Sequence, residues 1–363
     1  MYRLVLAACA SLLSHAAVAQ VQTLERIEVV GSPPPPALGT AGAASEGEIS
    51  REQIEARPVY RPGEIVETVP GLIVTQHSGE GKANQYFLRG FNLDHGTDLA
   101  LFADGMPVNM RTHGHGQGYA DLNFLIPELV SGIAYRKGPY FAEEGDFASA
   151  GAARIEYLDK LDRDVLAGTE GSFGFLRGLG ATSRPLGDGS LLSAVELQHY
   201  DGPWERPDDL QKANGILRWT RGRRDDGFSL TAMAYGARWN STDQIAARAV
   251  PSGDVGRFGT LDPTDGGNAE RYSLSARWNQ PQRDGQLFAA AYAIRSTLTL
   301  YNDFTYFLRD PVNGDQFKQT DARTVVGAEV GRRWLRAASP APSRRVRRAA
   351  RSRSRWAVRW DAV

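Results

Sequence analysis

Thiols are nearly absent from this chain: its one cysteine among 363 residues is Cys9, close to the N-terminus. No disulfide framework can therefore brace the remainder, although a thiol-free chain suits an oxidising compartment. No run of eighteen apolar residues follows the N-terminal segment, which excludes a transmembrane helix. A surplus of one charge is also missing, with 42 basic and 42 acidic residues. That balance hides two unlike parts. Residues 331–363 hold 11 arginines and one aspartate, so residues 1–330 hold 31 basic against 41 acidic side chains. An acidic body is a poor partner for nucleic acid.

The first residues read as an export signal over 1–19. Arg3 gives the positive start, Leu4 to Leu13 the apolar stretch, and Ala17-Val18-Ala19 a small-x-small cleavage site. A lipoprotein box at Leu6-Ala7-Ala8-Cys9 is the rival reading, with few apolar residues before it. Residues 20–48 contain a short β-prone run, Leu24 to Gly31, then Pro33 to Pro36 and a Gly/Ala-rich tract. A prolyl tether stays extended, and a lone strand on it is suited to joining another protein's sheet edge.

Residues 49–158 read as a compact α+β unit. Ser50 and Gln53 form a capping box for a helix over Arg51 to Ala56, and Pro62-Gly63-Glu64 opens a second helix that Pro70-Gly71 stops. Short β-rich runs follow at 72–76, 85–89, 98–103 and 133–136.

From about 159 to 335 the texture becomes alternating, as in Arg271-Tyr272-Ser273-Leu274-Ser275-Ala276-Arg277-Trp278. Seven segments do this: 163–180, 190–201, 212–222, 227–240, 270–280, 286–301 and 320–335. Polar-in, apolar-out alternation is the signature of a transmembrane β-barrel strand, while a soluble β-sandwich is the alternative. The Arg-rich tail over 336–363 loses the alternation, which suggests either a frameshifted end or a true basic tail.

Particular motifs run in order through the α+β unit: Val69-Pro70-Gly71-Leu72, Asn84 to Phe91 with Arg89-Gly90, Asp104-Gly105-Met106-Pro107-Val108, Ile126 to Ile133, and Gly151 to Tyr157. In order and spacing they resemble the plug domain of a TonB-dependent outer-membrane receptor. If the α+β unit is a plug, as this resemblance implies, the barrel around it has about 22 strands, so the expectation is an incomplete antiparallel barrel of about seven of them. Unpaired edges in lipid cost several kcal/mol per exposed backbone group, and such a fragment is not expected to insert alone. The resemblance implies a Gram-negative outer-membrane location, reached through the periplasm and in contact with outer-membrane lipid. It also implies a TonB-type periplasmic energy transducer as partner, contacted through a TonB box at Ile27, Glu28, Val29 and Val30. Arg89, Gly90, Asp104 and Gly105 are then structural plug residues, and Arg89 is expected to pair with Asp104 or Glu128, since a buried arginine needs a partner. Import of a scarce extracellular ligand is the implied function of a full-length receptor, and the chain as it stands is expected to be truncated and non-functional. A soluble periplasmic plug-like binding or signalling module is the other reading.

Four of the six histidines cluster at His77, His95, His113 and His115, with Met106 and Met110 nearby. Imidazole with thioether suits copper, and imidazole with carboxylate suits zinc, nickel or iron. The expectation is a metal or metal chelate as transported small-molecule ligand, with no cofactor required. A polar plug apex without metal is the alternative. Enzyme chemistry is not indicated. His113-Gly114-His115 lacks the later His and Asp of a metal-dependent hydrolase, and Ser78 to Lys82 lacks the first glycine and the Ser/Thr of a phosphate loop.

Overall fold

Ser50 opens the first helix for the expected reason. Its hydroxyl accepts from the Gln53 amide while Gln53 answers the Ser50 amide. In the computed structural model the described residues are 43–76, 79–92 and 95–335, with 353–362 described as backbone alone. The export signal, Ile27 to Val30, His77 and the 336–352 part of the tail lie outside them.

The first part holds β1 (Glu46–Ser50), α1 (Arg51–Glu55), a 3-10 turn over Pro62–Thr68, β2 (Leu72–Thr75), β3 (Gln85–Leu88), β4 (Phe91–Asn92), β5 (Leu99–Ala103), β6 (Met106–Pro107), β7 (Val130–Lys137) and β8 (Gly151–Tyr157). The second expected helix is thus a 3-10 turn. Strands pair in the order β1-β7-β8-β5-β6, with β5 and β8 parallel and the other neighbours antiparallel, and β2-β3-β4 form a separate small sheet. Ile65, Val66, Leu101, Leu125, Ile155 and Tyr157 are sealed in the core between them.

Two of the family-like motifs turn out to be hairpin turns. Arg89-Gly90 links β3 to β4 and Asp104-Gly105 links β5 to β6, with Leu88 opposite Phe91 and Ala103 opposite Met106. All four residues have positive φ, at 54°, 83°, 49° and 83°. A two-residue hairpin loop that follows the natural strand twist needs positive φ at both positions.

The second part is one antiparallel sheet in strict sequence order. It comprises β9 (Val165–Glu170), β10 (Leu176–Leu186), β11 (Gly189–Tyr200), β12 (Leu210–Arg223), β13 (Asp226–Asn240), β14 (Gly266–Gln282), β15 (Gly285–Asn302), β16 (Phe317–Leu335) and β17 (Arg353–Ala362). The strand count differs from the seven expected segments in two places. Segment 163–180 is two strands, because Phe173 and Gly174 turn the chain through positive φ. The tail contributes β17, which pairs with β16 despite its arginine-rich sequence.

This sheet is inside out compared with a soluble sandwich. On β12, Lys212, Asn214, Arg218 and Thr220 are buried against the first part, while Leu217 is exposed. Leu230, Leu274, Val195 and Leu197 are exposed on neighbouring strands. Burial of such side chains is worth ~1.5–3 kcal/mol each, so five left in water would forfeit an amount comparable to a domain's whole stability of ~5–15 kcal/mol. An outer face of this kind suits lipid.

Candidate functional site

The strand connections distinguish two ends of the sheet. At one end β10–β11, β12–β13 and β14–β15 are joined by two-residue turns; at the other, residues 201–209, 241–265 and 303–316 form long loops. Seated against the sheet's polar face, the plug-like part contacts both ends, in different ways.

At the short-turn end the contact is a belt of ion pairs. Asp104, fully buried, accepts from Arg218 at 2.6 Å and Arg277 at 3.1 Å, and from the Thr231 hydroxyl at 3.2 Å. Arg218 also reaches Asp159 at 2.8 Å, and Arg277 reaches Glu156 at 2.7 Å. Burial pulls the Asp104 carboxyl upward, but Arg218, Arg277 and Arg224 outweigh it and hold it below the usual range. Nearer the opposite end of its strand, Arg177 on β10 gives two bonds to Glu128, at 2.6 and 2.9 Å.

These contacts correct one expectation. Asp104 and Glu128 are paired, but with arginines of the sheet. Arg89 is exposed, and among the described residues no carboxylate pairs with it. It lies near Lys137, whose ammonium pKa is lowered by burial first and then by the Arg89 charge. Arg218 and Arg277 escaped notice as candidates, although their inward register on alternating strands was the available signal.

The histidine loop lies at the long-loop end. Met110 and Tyr119 bridge the base of the loop, and its backbone lies against β16. Gly114 donates to Asp321 at 3.0 Å, and its carbonyl accepts from Gln319 at 3.1 Å. A side chain at Gly114 would strike the Thr320 carbonyl. His113 stacks on Tyr119 with ring centroids 4.4 Å apart, and His95 and His115 face each other at 4.8 Å. His113 Nδ1 accepts the His115 amide at 3.1 Å, which leaves its proton on Nε2, facing Asp321 at 3.8 Å. Burial, with Arg323 and His115 adding to it and Asp321 opposing, pushes the His113 imidazolium down to about 4. His113 is therefore neutral near pH 7. His95 Nδ1 meets the Asn84 carbonyl at 3.2 Å and His115 Nδ1 meets Gln319 at 2.8 Å. As donors in these contacts, both rings carry their lone pair on Nε2.

The structure thus brings together His95, His113 and His115. Met106 and Met110 are buried in the core, with Met110 lining a narrow cleft beside His113 and Arg271. Among the described residues, the one place with three His, Cys, Asp or Glu donors within 4.8 Å of one another is His199, Asp201 and Asp209, at the rim between β11 and β12. It was not among the expected residues. There the imidazole lies between the carboxylates, 3.3 Å from Asp201 and 3.9 Å from Asp209.

Comparison with known proteins agrees with this arrangement. Residues 39–152 match the family described as TonB-dependent Receptor Plug Domain. Similar solved structures include "Copper transporter OprC", at 18% identity and TM-score 0.59, covering 82% of this chain and 43% of that one. The ferric-catecholate import receptor Fiu from E. coli K12 aligns at 12% identity and TM-score 0.58, covering 81% and 46%. The ferric enterobactin receptor PfeA from Pseudomonas aeruginosa aligns at 16% identity and TM-score 0.54, covering 88% and 57%. At these identities the likeness is one of fold. The chain spans about half the length of these structures.

Proposed function

We propose that this chain, which carries a TonB-dependent receptor plug domain seated against part of a receptor-type barrel wall, serves energy-coupled uptake across an outer membrane. The observation that carries the reading is the plug itself, tied to the sheet's polar face by buried ion pairs while the opposite face is apolar. Ile27, Glu28, Val29 and Val30 are the segment that pairs with a periplasmic energy transducer. The ligand is a metal ion or metal chelate, with His95 and His115 as its donors at the plug apex and His113 supporting the loop. The printed cargo of the similar structures, copper and ferric chelates, supports that class.

One experiment with two variants tests this. A receptor containing this chain is produced in an outer membrane, and binding and uptake of copper, zinc and ferric chelates are measured. Val29→Pro removes a backbone donor from the pairing strand and is expected to leave binding intact while uptake falls tenfold or more. The double variant His95→Ala/His115→Ala is expected to lose both. Undiminished uptake with Val29→Pro sinks the coupling, and unchanged binding in the histidine variant sinks the ligand site.

A further inference from the structure

The three long loops carry 11 acidic and 4 basic residues. Their acidity is concentrated where they meet the plug. Asp243 at the start of the β13–β14 loop, Asp262 and Asp265 at its end, and Asp303 just after β15 form one neighbourhood. All four carboxylates act on the Tyr306 hydroxyl, which burial first and then their charge push up to about 12. Asp265 and Asp303 are 1% exposed, and Asp243 is 7% exposed.

Among the described residues, one plug cation reaches this group. The Lys82 ammonium, itself buried, donates to Asn302 Oδ1 at 2.6 Å and to Asp243 Oδ1 at 3.2 Å. Gly81 makes this approach feasible: at φ +90°, it packs against the Trp239 indole, where any side chain would collide. Gln316 supplies a neutral donor to Asp265 Oδ1 at 3.0 Å and to Asp262 Oδ2 at 3.3 Å. Lys82 is, among the described residues, the one cation paired within this group of four carboxylates. Among the described residues, Asp243 Oδ2, Asp265 Oδ2, Ser241 Oγ and Thr242 Oγ1 are buried and make no hydrogen bond. Buried polar atoms are nearly always satisfied, so four orphans at one place indicate a missing occupant.

We propose that this cluster binds a hard divalent cation of the Ca2+ or Mn2+ class, and that the ion displaces the Lys82 ammonium from Asp243 and Asn302. The donors are all oxygens: Asp243, Asp265, the Asn302 carbonyl and the Ser241 and Thr242 hydroxyls. Such a set selects hard cations over copper. The ion would separate Lys82 from the wall and so loosen the plug apex at the loop end. Ion binding stands without the receptor reading; only the use made of that loosening rests on it.

The test uses the full chain in detergent micelles. Mn2+ binding is followed by electron paramagnetic resonance, with Ca2+ as competitor, and melting temperature is recorded for each variant. One saturable Mn2+ that Ca2+ displaces is expected. Asp265→Asn should weaken it tenfold or more. Lys82→Gln, which removes the competing ammonium, should tighten it tenfold or more. If Asp265→Asn fails to fold, the Asp243→Asn/Lys82→Gln pair replaces it and should bind more weakly than Lys82→Gln alone. A plain structural clamp gives the opposite pattern: Lys82→Gln lowers the melting temperature and tightens nothing. That pattern, or Mn2+ association that does not saturate, overturns the proposal whatever the uptake experiment yields.

Discussion

The two ends of the plug meet the wall through opposite electrostatics. At the short-turn end, Asp104, Glu156 and Asp159 face Arg218, Arg224 and Arg277, and every one of these carboxylates has an arginine partner. At the long-loop end, Asp243, Asp262, Asp265 and Asp303 lie together, and among the described residues Lys82, paired with Asp243, is the one cation bridged to any of them. Matched charge fixes a plug in place, whereas a carboxylate excess with orphaned oxygens is strained until something positive arrives. One end therefore reads as an anchor and the other as a receiver.

The sharpest way to break this contrast is to unbalance the anchor. Asp104→Asn keeps the side-chain shape, and asparagine tolerates the positive φ of the turn. It leaves Arg218, 1% exposed, facing Asp159 alone. Removing one partner of a buried ion pair costs ~3–5 kcal/mol, and the partners that remain place the expectation near the lower end of that range. Denaturant unfolding of the chain in micelles measures it. A loss below about 1 kcal/mol, the range of surface pairs, would mean that the belt is no anchor.

A second, smaller contrast appears with pH. Asp104 has its folded carboxyl lowered, so its contribution persists above the unfolded value near 3.8 and disappears only as pH falls below that. Asp208 and Asp265 are pushed up to about 7, chiefly by burial, with neighbouring carboxylates adding to it. Their contribution is complete below about 3.8 and is lost as pH rises towards 7. Between pH 5 and pH 8 the long loops should therefore lose hydrogen-exchange protection while residues 99–106 keep theirs, after correction for intrinsic exchange. Parallel changes at the two ends would erase the distinction.

Much of this was legible in the sequence, and the reasons are physical. The capping box at Ser50 is a local device, so residues three apart reveal it. The barrel wall could be read from alternation because each strand's two faces meet different solvents, as Lys212 and Leu217 show on β12. Pairing across the interface was not legible. Arg218 and Asp104 are 114 residues apart, and no local pattern states which inward arginine meets which carboxylate. Lys82 and Asp243, 161 apart, are the same case. The break between β9 and β10 was hidden because Phe173 is an uncommon residue at positive φ.

Arg89 shows how a motif residue can be placed correctly for the wrong reason, and it supplies the smallest predicted effect. Asp104 and Arg89 occupy equivalent hairpin positions, each followed by glycine and each at positive φ. Asp104 is held by two arginines, whereas Arg89 is exposed near Lys137 and pairs with no carboxylate among the described residues. The Arg89 backbone thus bears the cost of a left-handed conformation, ~1–2 kcal/mol for an ordinary residue, with no ion pair among the described residues to offset it. Asparagine relieves most of that cost, and Asn-Gly is a preferred pair for this turn. Arg89→Asn is therefore expected to raise stability by a few tenths to about 1 kcal/mol, with a slightly higher melting temperature and unchanged ligand binding. A marked destabilisation would show that the Arg89 side chain does engage the wall, and that the anchor extends to a residue the structure leaves in solvent.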